Sequence, residues 1–183
     1  MAVHPASSIL PGGAAPVQGF SECHAGILAA LAPFEQLPAL AAAAARLREV
    51  AGAVLALFDG VVLEHHADEE AELFPAVLRS AAPGAERAAV QALVDQLGAE
   101  HRAIEEGWKQ LRPLVRRAAA GEPVGLEEKA VASLVAAYRR HAALEEREFL
   151  PLAREILGRN GNHMDALGLS LHLRHAPLPR AHV

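Results

Sequence analysis

The chain has 183 residues and a mass of 19.3 kDa, room for one domain with tails, and its 52% hydrophobic content suffices for a core, which excludes wholesale disorder. The apolar content is mostly Ala and Leu with 4% aromatics, a balance that favours helices over sheets, so an all-α fold is expected. A net charge of −5 without a Lys/Arg cluster argues against nucleic-acid binding, and a single cysteine rules out an internal disulfide or a Cys-rich zinc site.

Residues 1–18, rich in Pro, Gly, Ala and Ser, are expected to form a flexible leader. They lack the basic start and apolar stretch of a signal peptide, which points to the cytoplasm. A helix is predicted from near Phe20, with Ser21 as N-cap and Glu22 in its first turn. Pro33 and Pro38 either end it near Ala32 or kink it onward to about Leu40. A long second helix follows from about Ala41 to Ala82, with Leu47, Val50, Val54, Leu55, Phe58, Val61 and Val62 as its apolar positions. Its most apolar stretch, Val50 to Leu63, is too short for a bilayer and contains Asp59, so no membrane contact is expected. Pro83-Gly84 stops this helix.

The third helix is predicted from about Glu86 to Ala119, with Val90, Leu93, Leu97, Ile104, Trp108 and Leu111 on one stripe. The fourth runs from about Leu126 to Leu157, and residues 159–183 form a tail with a short helix around Met164–Arg174. Four helices with short connections predict an antiparallel up-down four-helix bundle over residues 19–158. Pro75 and Pro151 fall inside helices, where each frees a carbonyl, that of Ala71 or Arg147. Their equal placement in one motif marks them as features of the helices and not as ends.

That motif is repeated. Residues 65–75 (HHADEEAELFP) and 141–151 (HAALEEREFLP) share His-x-x-x-Glu-Glu-x-Glu-apolar-apolar-Pro. A further histidine lies upstream of each, His24 in HAGI and His101 in HRAI, so the chain reads as two helix pairs of one design. Residues four apart share a helix face, so His65 with Glu69 and His141 with Glu145 each present an imidazole beside a carboxylate. If both hairpins turn near their middles, four His and two Glu meet at one depth in the bundle. Two carboxylates that can bridge, with two imidazoles per ion, suit a pair of first-row transition ions, iron above all. A lone His is ordinarily a surface or satisfied core group, and paired Glu is ordinarily a solvated face. The duplicated register is what those bland readings do not supply. Neither HExxH nor the ferritin-like Glu-x-x-His spacing occurs on these helices.

With these motifs the chain resembles the hemerythrin-like, or HHE cation-binding, domain family, over roughly residues 20–157. The resemblance implies a four-helix bundle around an oxo- or hydroxo-bridged di-iron centre, two Fe ions as cofactor. By it His24 and His65 would hold one iron, His101 and His141 the other, and Glu69 and Glu145 would bridge. Oxygen-carrying members place a fifth histidine where this chain has Glu105, which is then either a terminal ligand or a solvent-side residue. A harder carboxylate donor there works against reversible O2 carriage and towards redox or peroxide chemistry. His66 is either a ligand or outer neighbour of the site, or a partly exposed His. Tyr138 either donates a hydrogen bond near it or packs in the core. Leu31, Phe58, Trp108 and Leu134 are expected to form a dry layer, and Cys23 to be a small packed residue. The implied partner is a small ligand (O2, NO or H2O2), with a homodimer as the assembly. Sensor, detoxifying enzyme and iron-handling roles stay open. The alternative is a metal-clamped helical interaction module without redox activity.

Overall fold

A computed structural model describes residues 14–159, and among these every regular element is helical. The predicted helix around Met164–Arg174 and the histidines at 163, 172, 175 and 182 lie outside the described residues. The chain divides into two compact units, residues 1–46 and 47–183.

In the first unit, α1 (Ala14–Leu31) starts earlier than predicted. Pro16 is tolerated there because the first turn of a helix has no intrahelical use for its N–H groups. Pro33 and Pro38 bring a 3-10 turn, Ala32–Gln36, and not a break. Leu31 and Leu37 flank it, both with right-handed helical dihedrals, and α2 (Leu37–Ala56) continues directly. The kinked continuation is therefore the observed alternative, and the chain does not reverse at this junction as an up-down hairpin would. Phe20, Ile27, Leu28, Leu31 and Phe34 are exposed, as is Cys23, which is not the packed residue expected. An 18-residue window within the helical run Phe20–Ser80 has a mean hydropathy of 1.5 and none of it is buried. By length and composition that window suffices to cross a membrane, a test that the shorter stretch Val50–Leu63 does not pass.

In the second unit the path beyond α2 is one helical rod built of α3 (Leu63–Asp68) and α4 (Phe74–Ser80) joined through two π-turns, Leu57–Val62 and Glu69–Leu73. The second rod is α5 (Ala85–Ala119). The third is α6 (Glu128–Leu144), the π-turn Glu145–Phe149 and α7 (Leu150–Gly158). Gly121 closes the turn after α5 at φ +79°, a backbone conformation open to glycine because it has no Cβ.

The π-turns at Glu69–Leu73 and Glu145–Phe149 have a cause that can be read in the chain. An α-helix would ask Pro75 and Pro151 for an N–H they lack. The wider turn reroutes the ladder one residue earlier: the Phe74 N–H donates to the Glu69 carbonyl and the Leu150 N–H to the Glu145 carbonyl. Both rods thereby run on through their prolines, as the repeat implied.

Two apolar clusters fill the interior of this unit. Phe74, Val77, Leu97, Phe149 and Ile156 form one, and Ile104, Trp108, Leu111, Val115 and Leu134 the other. Phe149 and Ile156 are wholly buried, and the Phe74 ring meets Phe149 edge-on at 5.1 Å. Along every rod a polar layer separates the two clusters, between Val62 and Leu73, between Leu97 and Ile104, and between Leu134 and Leu144.

Candidate metal centre

The polar layer consists of His66, Glu69, His101, His141 and Glu145, all buried and with apolar side chains on either side along the rods. Five ionisable side chains in such a place would be costly unless something satisfies them. The π-turns help to aim them. Glu69 and Glu145 are the first residues of their π-turns, with carbonyls used by the rerouted ladder and side chains turned inward.

The ligand atoms converge. Donor atoms of Glu69, His101, His141 and Glu145 lie within 4.8 Å of one another, as do those of His66, His101 and His141. The His66 and His101 rings stack at 3.9 Å, and His141 meets His101 edge-on at 4.7 Å. The Nε2 atoms of His66, His101 and His141, with Glu69 Oε2 and Glu145 Oε1, are buried without any hydrogen-bond partner. Imidazole nitrogens and carboxylate oxygens left bare around one point are the donor set that a divalent or trivalent first-row ion takes. The residues present therefore fit a metal.

Electrostatics in the chain alone agree with a site built to exchange protons for cations. Burial, then the Glu69 carboxylate, pushes Glu145 up to about 8. Glu69 itself is held low: burial opposes this, but the His101 imidazole, its Nε2 3.4 Å from Glu69 Oε2, and the His65 charge prevail. His101 is raised against its own burial by Glu69 and Glu70. Burial lowers His66 to about 4 and lowers His141 as well, with the His101 charge adding to both. The two carboxylates are thus pushed in opposite directions, and so is His101 relative to the other two imidazoles.

The positions singled out in the sequence fall in several places. His101, His141, Glu69 and Glu145 come together in the buried layer. His65 stands at its edge with 37% of its side chain exposed, its Nε2 3.5 Å from Glu69 Oε1. His24 lies on α1 in the other unit and is exposed. Glu105 is half-exposed and accepts a hydrogen bond from His66 Nδ1 at 3.1 Å. His66, 1% exposed, belongs to the buried layer and is not a partly exposed side chain. The π-turn Leu57–Val62 explains why. One extra residue in the helix advances the inward-facing positions, so Val62, His66, Glu69 and Leu73 make the buried stripe. That stripe has the 4, 3, 4 spacing of a helix face and is visible in the sequence once Val62 is taken as its start.

A groove of about 430 Å³ opens beside the layer, lined by His65, Glu69, Leu73, Tyr138, Glu145 and Leu150 among others. The Tyr138 hydroxyl is pushed up by burial and by the Glu145 and Glu69 charges, so it stays protonated at neutral pH. Of the expected dry layer, Phe58 stacks on Trp108 at 4.5 Å and Leu134 is buried in the same cluster, whereas Leu31 is exposed on α1.

Comparison with known proteins gives a consistent picture. The hemerythrin HHE cation binding domain matches residues 15–153, most of the chain. An uncharacterized protein of Haemophilus influenzae (strain ATCC 51907 / DSM 11121 / KW20 / Rd) is 27% identical over 117 residues, 62% of this chain. The matched stretch spans 64% of that relative's own length. No solved structure matches.

Proposed function

The chain belongs to the hemerythrin HHE cation-binding family, and on that basis we propose that it is a non-haem di-iron protein that binds or reacts with O2, peroxide or NO. The observation that supports this most directly is the set of bare, buried nitrogen and oxygen atoms on His66, Glu69, His101, His141 and Glu145. In this reading the fold is of the hemerythrin four-helix-bundle kind, with a homodimer as its assembly in the cytoplasm. His65, Glu69, His101, His141 and Glu145 would hold the ions. His66 adds an imidazole to the buried side.

When bound, the iron pair would supply a two-electron redox centre with an open coordination position. The chain's own residues supply the rest. Glu145 would give up its proton to become a donor, so loading would be coupled to proton release. The Phe58–Trp108 stack and Leu134 keep bulk water from one side. The groove beside Glu69 and Glu145 gives a small ligand a way in, and the protonated Tyr138 hydroxyl lines it as a hydrogen-bond donor.

Anaerobic loading with Fe(II) followed by air tests the reading. The expected result is about two iron ions per chain and near-ultraviolet charge-transfer bands, both lost in Glu69→Ala and His101→Ala. Hydrogen peroxide consumption that scales with bound iron would place the chain among enzymes, and ligand binding without turnover among sensors or stores. Zinc alone, or one redox-silent ion, would favour a clamp that ties the three rods together. A preparation that takes up no ion overturns the reading.

A further inference from the structure

Each buried imidazole has a second ring nitrogen, and those nitrogens are not left to chance. His101 Nδ1–H donates to Glu70 Oε1 at 2.9 Å, and His66 Nδ1–H donates to Glu105 Oε1 at 3.1 Å. His141 Nδ1 lies 3.3 Å from Glu100 Oε2, an ion-pair distance, and both atoms are buried without a hydrogen-bond partner. Three imidazoles thus face three carboxylates with one nitrogen and the bare centre with the other. From this geometry we infer that Glu70, Glu100 and Glu105 are positioning residues that hold His101, His141 and His66 in the Nδ1–H tautomer, so that each Nε2 lone pair is presented to the metal. The inference rests on the metal-binding reading above and deepens it.

The physical reason is simple. A neutral imidazole has one N–H, and whichever nitrogen holds it cannot also coordinate a cation. A carboxylate on the Nδ1 side fixes the proton there, stops the ring from flipping, and raises the basicity of Nε2. All three carboxylates reach the layer from its rim: 45% of the Glu70 side chain, 32% of Glu100 and 42% of Glu105 is solvent-exposed. Glu70 and Glu100 each stand beside a ligand candidate in sequence, Glu69 and His101, yet each faces an imidazole on another rod, His101 and His141 respectively. Glu105 is assigned to this outer role and not to direct coordination, because the carboxylate oxygen nearest the layer is already occupied by His66.

The test uses the full-length protein loaded with zinc, which gives sharp proton spectra. Affinity is read by chelator competition, and the exchangeable Nδ1–H resonances of the three histidines are read by NMR. Glu70→Ala, Glu100→Ala and Glu105→Ala are each expected to lower zinc affinity about 10- to 100-fold. Each should also speed solvent exchange of one resonance only: His101, His141 and His66 respectively. Glu70→Gln keeps an acceptor without the charge and should restore most of the affinity and the protected His101 resonance. A purely structural lesion would broaden all three signals and would not be rescued in this way. If wild-type protein binds zinc and the three alanine variants bind equally well with protected resonances, this inference is wrong while the metal site stands. If wild type binds neither zinc nor iron, both fall.

Discussion

Glu145 is the side chain on which the pH behaviour of the centre turns. It is nearly buried beside a second carboxylate, and its pKa of about 8 lies well above that of an unfolded glutamate. A raised folded value means that its contribution to stability is complete below about pH 4.3 and is lost as pH climbs towards 8. Chelator-stripped protein should therefore become less stable across that window. In Glu145→Gln the slope should largely vanish, so the variant should melt higher than wild type at pH 9 and close to it at pH 5. Thermal melts at the two pH values check this, and an unchanged slope would show that Glu145 ionises freely. His66 works in the opposite sense. Its folded value of about 4 lies below the ordinary imidazole range, so its contribution is present above about pH 6.5 and lost as pH falls towards 4. A further single-residue test lies at Trp108, whose Nε1–H donates to Asp59 Oδ1 at 2.9 Å while its ring stacks on Phe58. Trp108→Phe keeps the stack and loses the hydrogen bond, which should cost about 1 kcal/mol in denaturant unfolding. Asp59 retains Arg112, so no carboxylate is orphaned.

Among the helical segments, the π-turns connect sequence to site most directly. Proline at 75 and 151 removes one donor, the ladder widens by a residue, and Glu69 and Glu145 stand where the widening begins. Restoring the donor should let the helix tighten. Pro151→Ala is expected to leave far-ultraviolet helicity unchanged or slightly higher, because alanine is the better helix former by about 3 kcal/mol in a helix interior. The same change should rotate Glu145 and lower metal affinity about tenfold, read by chelator competition. Unchanged affinity would mean that packing of Phe149, which is wholly buried, fixes the π-turn without help from proline.

Across the second unit, the polar layer splits a core that would otherwise be continuous. The apolar clusters around Phe149 and Trp108 can each pack alone, but the layer between them holds imidazoles and carboxylates with bare buried atoms. An ion that satisfies those atoms binds only the folded chain, so it should stabilise the fold by mass action. At a free metal concentration a thousandfold above Kd the gain is about 4 kcal/mol, visible in calorimetry as a higher and concentration-dependent Tm. A Tm indifferent to iron and zinc would count against a metal at this layer.

Much of this was legible in the chain itself. Alanine and leucine enrichment announces helices, and α5 begins and ends within a residue of its predicted bounds because Gly84 and Gly121 punctuate it. The repeated motifs pointed to the HHE family, and His141 shares a face with Glu145 because spacing of four on a helix is a purely local rule, whereas His65, the other imidazole of the repeat, stands at the edge of the layer. Local rules fail where the ladder changes step. His66, left open between the site and a partly exposed position, enters the layer because a π-turn six residues long shifts the phase upstream, and no propensity announces that shift at Leu57–Val62. The 3-10 turn at Ala32–Gln36, where a reversal would have made a hairpin, is likewise a matter of which dihedrals a proline-flanked junction settles into. The carboxylates opposite each Nδ1 come from a different rod in every case, so only the tertiary fold could pair them. Composition and period depend on neighbours along the chain. Proton placement within the centre depends on neighbours across it.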